Sequence, residues 1–273
     1  MNKKISQFDE ITAQNNNDWL LIEEDSTGAY KKITVANFLK GIGNNQIVKD
    51  SNFLNVVLLM PMDGANESTD FTDLKSHTFT TIGSPRLSSS QFKFGSASAF
   101  FNGSSKIFTP DSEDWNFGNG DFTIELWLRL NNTSSPQCII GQHNNSINSN
   151  RSFALYCDGN PSKLRFFPST TGAFNSDLTL EDNSSLNPNG WHHIRVTRGG
   201  SNLNLLVDGI KKATNSNLGN AALFNSSLPL SIGSDDSNTH SLNAFVDDLR
   251  ITKGVNRDAG SNFSLPTSAS PTS

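Results

Sequence analysis

A chain of 273 residues has room for one all-β domain of roughly 200 to 250 residues with a small extra piece, or for two ordinary domains. Only 17% of residues are charged and phenylalanine outnumbers tyrosine by 19 to 2, a balance that suits short strands and polar turns better than long helices. A net charge of −5 with no Lys/Arg cluster leaves no electrostatic footprint for a phosphate backbone, which argues against nucleic-acid binding.

The opening "MNKKISQFDEITAQ" has a basic start but no apolar run of signal-peptide length, and no later segment could span a bilayer, so export by a general secretory route is not expected. In "DWLLIEEDSTGAYKKI" two apolar runs, Trp19 to Ile22 and Tyr30 to Ile33, flank an acidic, glycine-containing turn, the pattern of a short hairpin. The period then changes in "TVANFLKG". Thr34 can cap a short helix with Val35, Phe38 and Leu39 on one face, and Gly41 can end it. Such a unit cannot bury a core alone and is expected to dock. "GNNQIVKDSN" reads as a linker, which gives a docking segment over residues 1–50, a main domain over 51–266 and a flexible tail over 267–273.

The main domain opens on the apolar run in "FLNVVLLMPMDG". In "DFTIELWLRL" Phe122, Ile124, Leu126, Leu128 and Leu130 alternate with Thr123, Glu125, Trp127 and Arg129, the period of a strand with one face in a core. "GWHHIRVTRGGSNLNLLVDGIKKA" carries two further runs, and Asp208-Gly209 after the second is a hairpin signal. "LPLSIGSDD" and "NAFVDDLRITKGV" close the series. Short strands at this spacing predict an antiparallel sandwich or barrel. Cys138 and Cys157 have neither zinc-site nor redox-motif spacing and are expected in the core, paired or free.

Four blocks, "KFGSASAFFNGSSKI", "GDFTIELWLRL", "GWHHIRVTRGGSNLNLLVDG" and "FVDDLRITKGVNR", resemble in the same order those of laminin-G-like domains of the concanavalin A-like lectin/glucanase superfamily. The resemblance covers about residues 53 to 265 and implies a jelly-roll β-sandwich of two antiparallel sheets. The front of the chain, "ISQFDEITAQNNNDWLLIEEDSTGAYKKITVANFL", is similar to the N-terminal segment of many tailed-bacteriophage virion proteins, which implies anchoring to a particle.

The chemistry of an enzyme is not evident. Retaining glycosidases need two carboxylates about 5 to 5.5 Å apart, supplied in the glucanase branch by an E-x-D-x-x-E strand. No such pattern occurs, and Glu125 has Thr123 and Trp127 at its same-face positions. His192 and His193 have no Gly-x-Ser-x-Gly elbow and read as part of the fold; His143 stands alone on a loop. Asp247, by simple alternation, shares a face with Phe245, Leu249 and Ile251 and so needs a partner, while Asp248 and Arg250 fall on the other face. One partner is Ca²⁺, with Asp63, Asn66 and either Asp247 or Asp248 as ligands, an arrangement that resembles the structural calcium site of many laminin-G-like domains. The alternative is that Asp63 and Asn66 bond local backbone, with Asp247 paired to an arginine or to backbone amides. Trp115 and Trp127 are candidate sugar platforms, each with a packing role as the alternative.

The combined resemblance implies a virion protein: a capsid-decoration, head-fibre or tail-fibre appendage without enzymatic activity. Its N-terminal segment would assemble on capsid or tail proteins, or as a homotrimer burying Trp19, Leu21, Val35 and Phe38. Its sandwich would bind host-surface polysaccharide. A non-viral lectin or adhesin and a ligand-free capsid cement protein are the alternatives.

Overall fold

The computed structural model describes residues 19–24, 30–34, 49–133, 136–158 and 163–273, the first two stretches as backbone only. The chain divides into two units, Met1–Lys49 and Asp50–Ser273. In the first, β1 (Trp19–Glu24) pairs antiparallel with β2 (Tyr30–Thr34), with Trp19 opposite Thr34 and Leu21 opposite Lys32. The hairpin expected from the two apolar runs is therefore present. The helix expected after it, with Val35 and Phe38, lies outside the described residues.

The second unit contains, in chain order, β3 (Val56–Met60), β4 (Thr80–Ile82), β5 (Arg86–Ser88), β6 (Ser98–Asn102), β7 (Lys106–Thr109), β8 (Phe122–Leu130), β9 (Gln137–Gly141), β10 (Phe153–Asp158), β11 (Lys163–Pro168), β12 (Leu180–Ser185), β13 (His192–Gly199), β14 (Asn202–Val207), β15 (Ile210–Asn215), β16 (Leu230–Ile232) and β17 (Asn243–Lys253). Helical structure among its described residues is confined to 3-10 turns of three or four residues, and no helix there is long and apolar enough to cross a membrane. One sheet has the order β12-β11-β10-β9-β16-β7-β4, and the other β15-β14-β13-β8-β17-β6-β5, with β3 added beside β17. All of these pairings are antiparallel, as the sandwich expectation requires.

The alternation in β8 sends Phe122, Ile124, Leu126, Leu128 and Leu130 into the core, where they meet Leu155 and Phe166 of the facing sheet. The Phe122 and Phe166 ring centroids are 6.4 Å apart across the sandwich. Cys157 lies in this core, whereas Cys138 points to the other side of its sheet, and both are free thiols. At the Asp-Gly signal Val207 pairs with Ile210, and Asp208 (φ 51°) and Gly209 (φ 76°) take the two left-handed positions of a tight hairpin turn.

Strand β17 corrects the simple alternation. Asp247 pairs with Trp127 but Arg250, not residue 249, pairs with Glu125, so one extra residue is inserted and Asp248 adopts φ 46°. The bulge switches parity: Ala244 and Val246 before it and Leu249 and Ile251 after it all face the core, while Asp247 and Arg250 share the outer face.

That outer face is layered by cross-strand neighbours from β13, β8 and β17: Thr197, Thr123 and Thr252; then Arg195, Glu125 and Arg250; then His193, Trp127 and Asp247. All nine side chains are buried. Glu125 accepts from Arg195 through Nε (2.8 Å) and Nη2 (2.6 Å), and from Arg250 through the same pair of atoms at the same distances. Asp258 extends the network at Arg195, and Asp50 at Arg250 (3.1 Å) and Arg257 (2.6 Å). Burial alone would raise the Glu125 pKa; the Arg250 and Arg195 guanidiniums outweigh it and hold the carboxyl at about 2.

Residues after β17 cover these rows. The Phe263 ring lies 3.6 Å from the Arg195 guanidinium and edge-on to His193, and Ser270 donates its amide (3.0 Å) and hydroxyl (3.0 Å) to Asp248. The amide of Asp50 donates to the Ser273 carbonyl at 3.0 Å. The stretch 267–273, expected to be a flexible tail, is thus hydrogen-bonded at two points.

Candidate functional site

The covered face holds Trp127 and Asp247, whereas Trp115 lies in the core between the sheets. Trp115 is fully buried, donates Nε1 to the Pro110 carbonyl (3.2 Å) and packs on His77. Trp127 is 1% exposed, with the Lys93 ammonium 4.0 Å from its ring and Phe94 and His193 edge-on. Neither ring has a face left for a sugar. The expectation of a stacking platform at Trp115 or Trp127 is corrected by this burial, because strand alternation reports a side but not what lies over it.

Asp63 and Asp247 grip one segment from two sides. Asp247 Oδ2 accepts the amides of Lys93 (2.7 Å) and Phe94 (3.1 Å), and Asp63 Oδ1 those of Ser96 (2.6 Å) and Ala97 (3.2 Å). Between the pairs sits Gly95 at φ 66°, where a Cβ would overlap the Asp63 carboxylate. This explains the glycine of "KFGSA". Asn66 Oδ1 accepts from the Ser89 amide (2.9 Å), and Asp248 from Ser270. Burial, joined by the neighbouring Asp248 charge, pushes the Asp247 carboxyl up to about 7 against the pull of its amide donors. Asp63 Oδ1 and the oxygens of Asn66, Asp247 and Asp248 therefore face N–H donors, and among the described residues no group of three or more His, Cys, Asp or Glu converges to hold a metal.

A different arrangement occupies the outer face of the other sheet. Inward alternation in β10 and β11 buries Leu155, Cys157, Leu164 and Phe166 in the core, which leaves Ala154, Tyr156 and Phe167 outward beside Cys138 as a second apolar cluster. Loops after β9, before β10, after β11 and before β17 raise walls around it. Together they form a groove of about 480 Å³ lined by His143, Arg151, Tyr156, Phe167, Phe174 and His240, among others. The size is that of a small-molecule site.

Tyr156 is the centre of the groove, edge-on to His143 (6.0 Å), His240 (5.7 Å) and Phe167 (5.8 Å). Phe174 continues from Phe167 at 5.8 Å and is 50% exposed, with Ile147 and the amides of Asn145 and Asn148 beside it on the rim. The Tyr156 hydroxyl is buried beside the Cys138 thiol; burial first, then the neighbouring Cys138 and the Asp235 charge, raise its pKa and keep it protonated. His143 accepts from Arg151 Nε at 3.0 Å, and burial, then the Arg151 charge, lower its pKa to about 4, so it is a neutral imidazole at pH 7. The groove thus offers ring faces, amides and a few fixed polar groups, and no paired carboxylates at its centre.

The family model of the concanavalin A-like lectin/glucanases superfamily known as laminin G type 3 matches residues 101–258. The chain belongs to this family. Among solved structures the laminin-G-like fold is shared with domain 4 of an extracellular arabinanase from Geobacillus stearothermophilus, determined in complex with arabinotriose, at TM-score 0.55 and 13% identity over 76% of this chain and 96% of that one. It is shared with the binding domain of Paraclostridial Mosquitocidal Protein 1 at TM-score 0.57 and 17% identity, over 77% of this chain and 52% of that one. The binding domain of botulinum neurotoxin DC, determined in complex with SialylT, matches at TM-score 0.54 and 15% identity over 77% and 51%. The chain thus spans about half the length of these toxin binding domains. No curated protein gives a sequence match. At these identities the likeness is one of fold, a jelly-roll shared with binding domains.

Within this laminin-G-like unit the sequence singles out only His143 of the groove residues, because no local pattern gathers them. His143, Arg151, Tyr156, Phe174 and His240 come from four separate stretches of chain. The available signal was Tyr156 in "FALYCD", one of only two tyrosines, alternating outward between core residues Leu155 and Cys157. Of the proposed assembly residues, Trp19 and Leu21 are alternate positions of β1, while Val35 and Phe38 lie outside the described residues.

Proposed function

We propose that the protein is a bacteriophage virion component that recognises host-surface glycan in the Tyr156 groove, with residues 1–50 docking it, as a trimer, to capsid or tail proteins. The observation that carries the glycan part is the groove itself: aromatic faces at Phe167 and the half-exposed Phe174, set among Asn145, Asn148, His143 and His240. Apolar ring faces stack on the C–H side of a pyranose or furanose, while amides and imidazoles satisfy its hydroxyls. The arabinanase domain and the neurotoxin domain, whose structures carry arabinotriose and SialylT, lend the same fold to this reading.

The virion part rests on the similarity of "ISQF" and "KKITVANFL" to phage anchoring segments. Many copies on one particle turn weak single-site affinity into avidity. Recognition without hydrolysis fits the state of Glu125, an anion locked between two guanidiniums and unable to serve as a general acid at neutral pH. The test is a glycan array probed with the full-length protein and with Phe174→Ala. Binding that falls about ten-fold or more in the variant supports the groove. A blank array combined with tight binding to empty capsids replaces this reading with that of a cement protein.

A further inference from the structure

Most arginines of the sandwich have carboxylate or carbonyl partners; Arg129, beside the Asn131 amide and the Phe245 ring, and Arg151 have no carboxylate. Arg195 and Arg250 pair with Glu125, Arg257 with Asp50, Arg165 with Glu181 and Asp158, and Arg86 with Glu67. Arg198 is enclosed by the carbonyls of Gly118, Gly200, Gly219 and Ala221. Arg151, in the groove, has no carboxylate. Its Nε and Nη2 lie against the ring nitrogens of a neutral His143 (3.0 and 3.3 Å), its guanidinium sits 5.4 Å from the Phe174 ring, and its Nη1 has no acceptor among the described residues. A partly desolvated guanidinium held in place by an uncharged acceptor is a cation waiting for a counter-ion.

The acidic groups around the groove are otherwise engaged. Asp158 is bound to Arg165 at 2.6 Å; Asp235 accepts from the Thr239 amide and the hydroxyls of Ser237 and Thr239; Asp236 takes Asn144 and lies 3.7 Å from Lys106.

We infer that the groove selects glycans carrying an oxyanion, with Arg151 as the residue that pairs it, while Phe174 and Phe167 take the apolar face of the sugar ring. The inference rests on the glycan reading above and narrows it from glycans in general to acidic ones. A neutral glycan would cover Arg151 and leave it unpaired in a drier environment, whereas an acidic one supplies the missing charge, so the discrimination is built into the site rather than added by extra contacts. A guanidinium fork fits a carboxylate or a phosphate, and the shared chemistry is the oxyanion.

The experiment uses an array on which uronate- and sialate-bearing oligosaccharides are printed beside their own methyl esters, with phosphate-bearing glycans as a third arm, and follows hits by titration calorimetry with the full-length protein. The expected result is that an acid binds about ten-fold or more tightly than its ester, that the gap narrows as salt rises, and that Arg151→Gln binds acid and ester equally. Arg151→Lys, which keeps the charge, restores part of the preference, and unchanged urea midpoints for both variants establish that they fold. Preference in the carboxylate arm or in the phosphate arm identifies the source of the oxyanion. Equal binding of acid and ester by the native protein, or a preference that survives Arg151→Gln, overturns this inference and leaves glycan binding intact. Absence of binding to every glycan, neutral or acidic, removes the glycan reading and this inference with it.

Discussion

Replacing Glu125 with glutamine removes a single negative charge from between two buried guanidiniums and changes almost no volume. The carboxyl is held at about 2 against an ordinary 4.5, a depression worth about 3 kcal/mol of folded-state stability. Mutational experience with broken buried ion pairs gives about 3 to 5 kcal/mol, and the lower end applies here because Arg195 keeps Asp258 and Arg250 keeps Asp50. For a unit of this size the loss corresponds to a fall of about 6 to 12 °C in Tm. The depressed pKa also sets the pH dependence. The contribution is complete above pH 4.5, declines as pH falls, and is gone below about pH 2. Urea unfolding of both proteins between pH 7 and pH 2 should therefore show a difference of about 3 kcal/mol at neutrality that closes through that window, with the other carboxylates cancelling in the comparison. A variant within about 1 kcal/mol of the native protein at pH 7, or a difference that does not close in acid, would refute the network as the source of stability.

Gly95→Ala forces a Cβ into the Asp63 carboxylate at a left-handed backbone position and should cost about 2 to 3 kcal/mol in urea unfolding; a change under about 0.5 would mean that the segment yields freely. Asp247 is raised to about 7 from 3.8, so its contribution to stability is fully present below pH 3.8 and falls as pH rises through 7. Its carboxyl ¹³C resonance should titrate near pH 7, and a midpoint below 5 would show that the Lys93 and Phe94 amides overcome burial. Phe263→Ala opens the cover over His193, whose pKa burial holds at about 4, and should move its NMR titration toward 6.5; an unmoved midpoint would show that Phe263 does not seal the face. With Asp63 Oδ1 and the oxygens of Asn66, Asp247 and Asp248 turned to N–H donors, thermal unfolding in millimolar calcium and in chelator should agree within about 1 °C, and a calcium-dependent rise of about 5 °C would mean that these carboxylates turn to a cation.

Where the information is local, the sequence was legible. The five apolar positions of β8 declared a core face, and Asp208-Gly209 declared a hairpin, because a two-residue period and a pair of left-handed positions are properties of adjacent residues. The β17 bulge was not legible. One inserted residue leaves the composition of "AFVDDLRI" unchanged yet reverses the facing of everything after it, and only the pairing with Trp127 and Glu125 reveals the insertion. Trp127 looks like a platform in sequence because its cover comes from Lys93, Phe94 and His193, far away in the chain. The segment after β17 has no hydrophobic period because hydrogen bonds from Ser270 and Asp50 and the Phe263 ring attach it, and such attachment leaves no periodic trace.

The meeting of Asp50 with Ser273 gives the sandwich a front and a back. Both ends of the unit lie on the outer face of the sheet that carries Glu125, whereas the Tyr156 groove opens from the outer face of the opposite sheet. The chain therefore enters the sandwich on its sealed, ion-paired side, and substitutions in the walls of the groove leave that entry untouched.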